Sequence, residues 1–130
     1  MGAGMDASEV RQWAKEIDQA VMDCPDEVAK VVGRGAYNVK KDAQTRAKRI
    51  GRHVRRYPYA ITYETRRRMA DISADIGPEV GKGQGSLGSI LENGSPTSPP
   101  HPHMLPAGQA EAPRFERALE DLAVRLLEGR

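Results

Sequence analysis

A long apolar stripe at helical spacing is the feature that most constrains the fold of this chain. It consists of Val28, Val31, Val32, Ala36, Val39, Ala43, Ala47 and Ile50, with lysines and arginines between them. The stripe predicts an amphipathic helix of about seven turns that must bury one face against another element. Pro25 suits its first turn and Asp23 can cap it. Gly33 and Gly35 each weaken a helix, so their presence predicts close packing or a bend there.

Two shorter amphipathic helices are expected at the ends of the chain. The first covers about residues 8–22 and carries Val10, Trp13, Ala14, Ile17, Ala20 and Val21 on one face, after a flexible start at 1–7. The last carries Phe115, Ala118, Leu119, Leu122, Leu126 and Leu127. Pro113 either begins or kinks this last helix, and Gly129 is placed to end it.

The middle of the chain has the composition of a β-hairpin. "YPYAITYET" and "MADISADIG" are rich in β-branched and aromatic residues or alternate apolar with polar ones, which predicts two antiparallel strands joined through Arg66–Arg68. A mobile glycine-rich loop is expected at 77–88 and a proline-rich connector at 94–106, with a helical turn or short strand at "SILENG" between them. The sequence thus predicts one α+β domain over 1–130, with a small antiparallel sheet packed on the long helix.

Motifs that would support catalysis are missing from the sequence. The glycines at 77–88 lack the Gly-Lys-Ser/Thr ending of a phosphate-binding loop, and the chain has no Gly-x-Ser-x-Gly turn. Cys24 is the single cysteine, which fits a reducing compartment, and neither a signal peptide nor a membrane-spanning stretch is expected. We therefore predict a protein that is not an enzyme and uses no cofactor or metal, while a small nuclease or toxin-like enzyme is the alternative.

Basic residues are concentrated in one stretch although the formal net charge is only +2. Between Lys40 and Arg68 there are eleven lysines or arginines against two acids. The candidates for contact with DNA or with an acidic partner are Lys41, Lys48, Arg49, Arg52, Arg55 and Arg56, with tyrosines nearby. The alternatives are a solvated helix face or pairing with acids of a neighbouring subunit.

The histidine pair in "SPPHPHMLP" has three interpretations. His101 and His103 could supply two metal ligands, which is fewer than a zinc site uses. The tract could instead bind an aromatic groove of a partner. The favoured interpretation is a stiff connector whose prolines fix the backbone and whose histidines are incidental.

Several stretches together resemble a family of phage proteins. These are "VAKVVGRGAYNVKKDAQTRAK", the hairpin, "LGSILENGSPTSPPHPHMLPA" and "EAPRFERALEDLA". They look like the neck or tail-completion (head-tail joining) proteins of long-tailed bacteriophages over about residues 25–125. The most specific part runs from Leu91, Glu92 and Gly94 through Pro100, Pro102 and Leu105 to Pro106. Family members there end a proline-rich link in Leu-x-Pro-Ala, and Leu105, Pro106 and Ala107 keep the end of that pattern. Asn93 replaces an aromatic residue that is usual in the family.

The resemblance implies a structural virion subunit, assembled in the host cytoplasm, that forms a ring in the neck. The implied ring is six-fold, joins the capsid connector or head-closure protein to the tail terminator or tail tube, and lets DNA pass through its lumen without any membrane contact. Candidate interface residues are Arg66, Arg67, Arg68, Lys82, Gln84, Leu105 and Pro106. A tail-terminator ring subunit and a small DNA-binding protein are the alternatives.

Overall fold

The computed structural model of the chain describes residues 24–68 and 71–129. Its helices are α1 (Pro25–Ala47), α2 (Gly88–Asn93) and α3 (Met104–Glu128), and its strands are β1 (Ile61–Arg68) and β2 (Asp71–Pro78). Short 3-10 helices cover Arg52–Val54, Tyr57–Ala60 and Gly85–Leu87. The predicted α+β class, with a two-stranded antiparallel sheet beside long helices, is confirmed. The helix expected at 8–22, the start at 1–7 and the cap at Asp23 lie outside the described residues.

Helix α1 follows the long apolar stripe. Cys24 is its N-cap residue without a side-chain hydrogen bond, and Pro25 occupies the first turn as expected. Acidic Asp26 and Glu27 in that turn complement the helix dipole. The helix ends at Ala47, one turn earlier than the stripe predicts, but Ile50 still packs against the core.

Two apolar clusters on α1 hold the fold together. The first contains Ala43, Ala47, Val54, Tyr57, Ile61, Leu91 and Ala107. The second contains Val28, Val32 and Leu122, with Phe115 packed against it, and joins α1 to α3. A Cβ on Gly35 would lie 2.9 Å from Cδ1 of Phe115, whereas a Cβ on Gly33 would meet nothing within 4 Å. Gly35 therefore permits the close packing that its sequence predicted.

The hairpin pairs all eight residues of each strand, from Ile61 with Pro78 to Arg68 with Asp71. Residues directly opposite share a face, so Tyr63 with Ile76 and Thr65 with Ala74 lie on the side towards α1. Two details of the sequence-based prediction were wrong. Tyr57–Ala60 forms a 3-10 helix instead of a strand, because Pro58 cannot donate to a ladder. Arg66–Arg68 do not join the strands but are the last three residues of β1.

Segment 77–88, predicted as a glycine-rich loop, contains the end of β2, the 3-10 helix Gly85–Leu87 and the first residue of α2. Gly77 and Pro78 end β2, and the amide of Glu79 donates to the carbonyl of Ala60 at 2.8 Å. A Cβ on Gly85 would collide with the carbonyl oxygen of Glu79. This glycine is therefore required by a close backbone approach.

The proline-rich connector ends sooner than expected. Helix α2 stops at Gly94, whose φ of 80° favours glycine, and confirms the helical alternative for "SILENG". The chain then runs without helix to His103, and α3 begins at Met104. Pro106 fits the first turn of α3, because amides there need no intrahelical partner. Pro113 lies inside α3 and does not begin it.

Candidate interaction surfaces

The three arginines predicted at an interface lie exposed at the end of β1. Nη2 of Arg66 is 2.8 Å from Oδ2 of Asp75 on the neighbouring strand. Nη1 of Arg67 is 2.8 Å from Oδ1 of Asp26 at the start of α1. Among the described residues, Arg68 has no ion-pair partner. The hairpin thus presents its positive charge on the surface, partly balanced by Asp75 of β2 and Asp26 of α1.

The other predicted interface residues divide into exposed and structural ones. Lys82 is exposed, with Nζ 3.7 Å from Oε2 of Glu79. Leu105 is 64% exposed, and Pro106 is half-buried beside it in the first turn of α3. Gln84 donates to the carbonyl of His53 at 2.8 Å and accepts the amide of Arg56 at 3.0 Å. The Gln84 side chain therefore links segment 79–88 to the residues before β1. Its amide group is engaged in hydrogen bonds within the chain and is not free for a partner.

The six predicted DNA-contacting residues all lie exposed, on α1 and the segment that follows it: Lys41, Lys48, Arg49, Arg52, Arg55 and Arg56. None of them forms an ion pair with another residue in ranges 24–68 and 71–129. Nζ of Lys48 lies 5.7 Å from the ring centroid of Tyr59, which is 68% exposed. This positive surface is not neutralised by the described acids.

Four aromatic contacts that the sequence-based prediction missed lie on the same surface. Tyr37 and Tyr63 form an edge-to-face pair with ring centroids 6.3 Å apart. Nζ of Lys40 is 5.6 Å from the Tyr37 centroid and 5.7 Å from the Tyr63 centroid, and Lys41 approaches Tyr37 at 6.0 Å. Residues 37, 40 and 41 share one side of α1 by helical spacing, and Lys48 directly follows the helix at the same spacing, a signal that was available in the sequence. We call Tyr37, Lys40, Lys41, Lys48, Tyr59 and Tyr63 the basic-aromatic face.

His103 lies at the centre of a buried polar cluster, so the prediction that both histidines are incidental was wrong for this one. Its side chain is enclosed, and Nε2 lies 2.6 Å from the hydroxyl of Tyr57. Nδ1 faces two acceptors, the carbonyl of His101 at 2.9 Å and Oε1 of Glu92 at 3.1 Å. Nδ1 must therefore carry the proton, and in the neutral ring Nε2 accepts the Tyr57 hydroxyl. The His101 side chain is exposed, as expected.

Glu92 caps the start of α3 from the end of α2. Its carboxylate accepts the amides of His103 at 3.0 Å, Met104 at 2.8 Å and Leu105 at 3.1 Å. Burial raises the pKa of Glu92, but the amides of Met104, His103 and Leu105, together with the adjacent His103 ring, outweigh burial and hold that pKa below its usual value. Burial, with a contribution from the negative charge of Glu92, raises the pKa of Tyr57 to about 12. The cluster keeps Glu92 charged and Tyr57 neutral near pH 7.

An apolar groove of 340 Å³ opens between α1, β2 and α3. Its walls include Val32, Val39, Ile72, Ile76 and Phe115. Glu111 reaches it from α3, but that carboxylate is nearly buried, accepts Asn38 at 3.0 Å and lies 3.1 Å from Arg114. The groove therefore offers space for apolar side chains and little polar chemistry with which to orient a substrate.

Neither a cluster of metal ligands nor a membrane-spanning helix occurs in the described ranges 24–68 and 71–129. No three His, Cys, Asp or Glu side chains of that part of the chain lie together in a way that would hold a metal ion. No helix there is both long and apolar enough to cross a membrane. The Tyr57–His103–Glu92 cluster contains catalytic residue types, but its histidine and tyrosine are enclosed, so a substrate has no route to their reactive atoms.

Comparisons with protein-family models, curated proteins and solved structures found no match to this chain. The structural features that bear on its function are the hairpin, the basic-aromatic face, the apolar groove and the buried polar cluster.

Proposed function

We propose that this protein is a structural subunit of a long-tailed phage that forms a ring at the head-tail junction and joins the capsid connector to the tail. The proposal rests on the resemblance of residues 25–125 to neck and tail-completion proteins. In this role the functional parts are surfaces that contact other subunits, and no catalytic centre is needed.

The observation that carries the proposal is that the most specific stretch of the resemblance forms one structural unit. Leu91 and Ala107 are buried in the same apolar cluster. Glu92 caps α3, and Gly94 has the positive φ that lets the chain turn after α2. The amide of His101 returns to the carbonyl of Leu91 at 2.7 Å. A pattern of residues that depend on one another in this way supports a shared fold more strongly than scattered matches do.

The exposed parts of the described structure suit an assembly subunit. The hairpin carries charged side chains along most of its length, and α3 leaves Leu105, Val124 and Leu127 exposed. Charged and apolar surface of this kind is covered when subunits meet. We therefore expect subunit contacts through the hairpin and through α3.

The test is the mass of the purified full-length protein in solution, alone and mixed with the connector and tail proteins encoded beside it. A closed ring, or a monomer that becomes a ring when the connector is added, supports the neck role. A ring that binds only the end of the tail tube favours the tail-terminator alternative. A monomer that binds neither partner over a wide concentration range contradicts both.

A nucleic-acid-binding protein is the second candidate, and the basic-aromatic face favours it. Lysines can contact phosphates while exposed tyrosine rings stack on bases. Lys41→Glu and Lys48→Glu should weaken binding to a DNA duplex or single strand at least tenfold at about 100 mM salt. Lys30→Glu is the matched control, because Lys30 lies on the same helix but pairs with Glu27 at 3.2 Å. Equal affinities of all three variants and the unmodified protein would contradict this function.

A further inference from the structure

We infer that the outer edges of the hairpin are a docking site for a second copy of this chain, with β1 of one subunit pairing with β2 of the next. The inference rests on the proposed ring and names the contact that closes it. The inference concerns only the strand edges, so it can be tested separately from the binding of connector and tail proteins.

Among the described residues, both strand edges have backbone groups without a hydrogen-bond partner. The sheet of that part of the chain has two strands of eight residues, so each strand has one edge that faces away from its hairpin partner. In an antiparallel strand, alternate residues direct both N–H and C=O to that outer edge. Within the described ranges, the outward N–H and C=O groups of residues 62–68 and 71–78 form no hydrogen bond with other elements. At the base of the hairpin, the carbonyl of Ile61 accepts a hydrogen bond from the Gln44 side chain. Long edges of this kind are templates for another strand.

Charge decides which edges meet. Strand β1 carries three arginines and one glutamate, whereas β2 carries two aspartates and no basic residue. A β1–β1 contact would bring six arginines into one interface, and a β2–β2 contact would bring four aspartates together. A β1–β2 contact alone places opposite charges side by side, as Arg66 and Asp75 already are within the hairpin.

The geometry of that pairing fits rotational symmetry. A β1–β2 contact between copies is head-to-tail, and head-to-tail contacts close into rings when the rotation allows. Strand directions continue to alternate around such a ring, because every subunit contributes one strand of each direction. A two-fold β1–β1 contact would stop at a dimer. A ring of identical copies therefore pairs both outer edges of every hairpin, β1 with one neighbour and β2 with the other.

A pair of proline variants tests the edge directly. Glu64→Pro and Thr65→Pro alter neighbouring residues, whose amides point to opposite edges of β1. The variant whose lost amide points towards β2 of the same chain breaks the hairpin ladder and lowers the unfolding midpoint. We expect the variant whose lost amide points to the outer edge to keep its circular dichroism spectrum and unfolding midpoint, but to raise the concentration needed for ring formation at least tenfold. A folded variant of this pair that forms rings like the unmodified protein overturns the inference.

Cysteine cross-linking tests the pairing even if both proline variants unfold. In a Cys24→Ser background, protein with Glu64→Cys is mixed under oxidising conditions with protein carrying Asp71→Cys, Ser73→Cys or Asp75→Cys. We expect a disulfide dimer in one of the mixtures and none with Glu64→Cys alone. Dimers of Glu64→Cys with itself, or rings without any cross-link, overturn the edge pairing while the neck role stands. Absence of rings under every partner condition overturns the proposed function itself.

Discussion

The hydroxyl of Tyr57 and Nε2 of His103 lie 2.6 Å apart in the core and join residues 46 positions apart in sequence. Their rings meet edge to face with centroids 5.1 Å apart. The contact fastens the end of the proline-rich connector to the segment before β1. Glu92 completes it from α2, so three separate parts of the chain are held by one buried polar cluster.

Tyr57→Phe should destabilise the protein although it removes a single oxygen. The substitution leaves Nε2 of the buried His103 without its 2.6 Å partner, and an unsatisfied buried polar group costs about 1–3 kcal/mol. Tyr59→Phe is the control, because Tyr59 is 68% exposed and its change should stay within about 0.5 kcal/mol. Urea unfolding of the two variants measures the difference. Equal stabilities would show that the hydrogen bond contributes nothing.

Glu92→Gln should reduce stability at pH 7 and have less effect in acid. A charged group that caps a helix contributes about 0.5–2 kcal/mol. The pKa of Glu92 is lower in the folded protein than its usual 4.5, so its contribution is fully present above about pH 4.5 and is lost as the pH falls through the folded-state pKa. Unfolding free energies of the variant and the unmodified protein should therefore converge as the pH is lowered from 5 to 3. A gap of constant size across that range would contradict the ionised cap.

The long-range contacts explain which parts of the fold were visible in the sequence. Helix α1 was predictable because its apolar spacing is local and its start is marked by Pro25. The role of His103 was not, since an isolated histidine among prolines gives no local sign that Tyr57 and Glu92 will surround it. Arg66–Arg68 were predicted to join the two strands, but their positions in β1 depend on pairing with β2. The basic stretch was recognised in the sequence. The contact of Tyr63 with Lys40 and Tyr37 was not, because Tyr63 lies on β1 and the other two residues lie on α1.

Gly33→Ala and Gly35→Ala should have opposite effects on stability. Alanine is favoured over glycine inside a helix by about 1 kcal/mol, and a Cβ at Gly33 would touch nothing, so the first variant should be more stable by about that amount. At Gly35 the new Cβ would lie 2.9 Å from Cδ1 of Phe115, and the ring or α3 must move. Overpacking of this kind costs about 1–3 kcal/mol, which outweighs the helix gain. Thermal unfolding of both variants tests the helix packing. Equal stabilisation by the two substitutions would show that α3 does not lie this close to α1.

Absorbance at alkaline pH should reveal the buried phenol as a late titration step. The pKa of Tyr57 is raised to about 12 because burial and the nearby charge of Glu92 disfavour the phenolate. This phenol therefore contributes stability that is fully present below its usual pKa of 10 and is lost as the pH rises from about 10 to 12. In a spectrophotometric titration at 295 nm we expect a component near pH 12, or one that coincides with alkaline unfolding, and we expect it to be missing in Tyr57→Phe. Tyr59→Phe is again the control and should keep the late component. A late component that survives in Tyr57→Phe would assign the shifted phenol to another tyrosine and contradict the enclosed position of Tyr57.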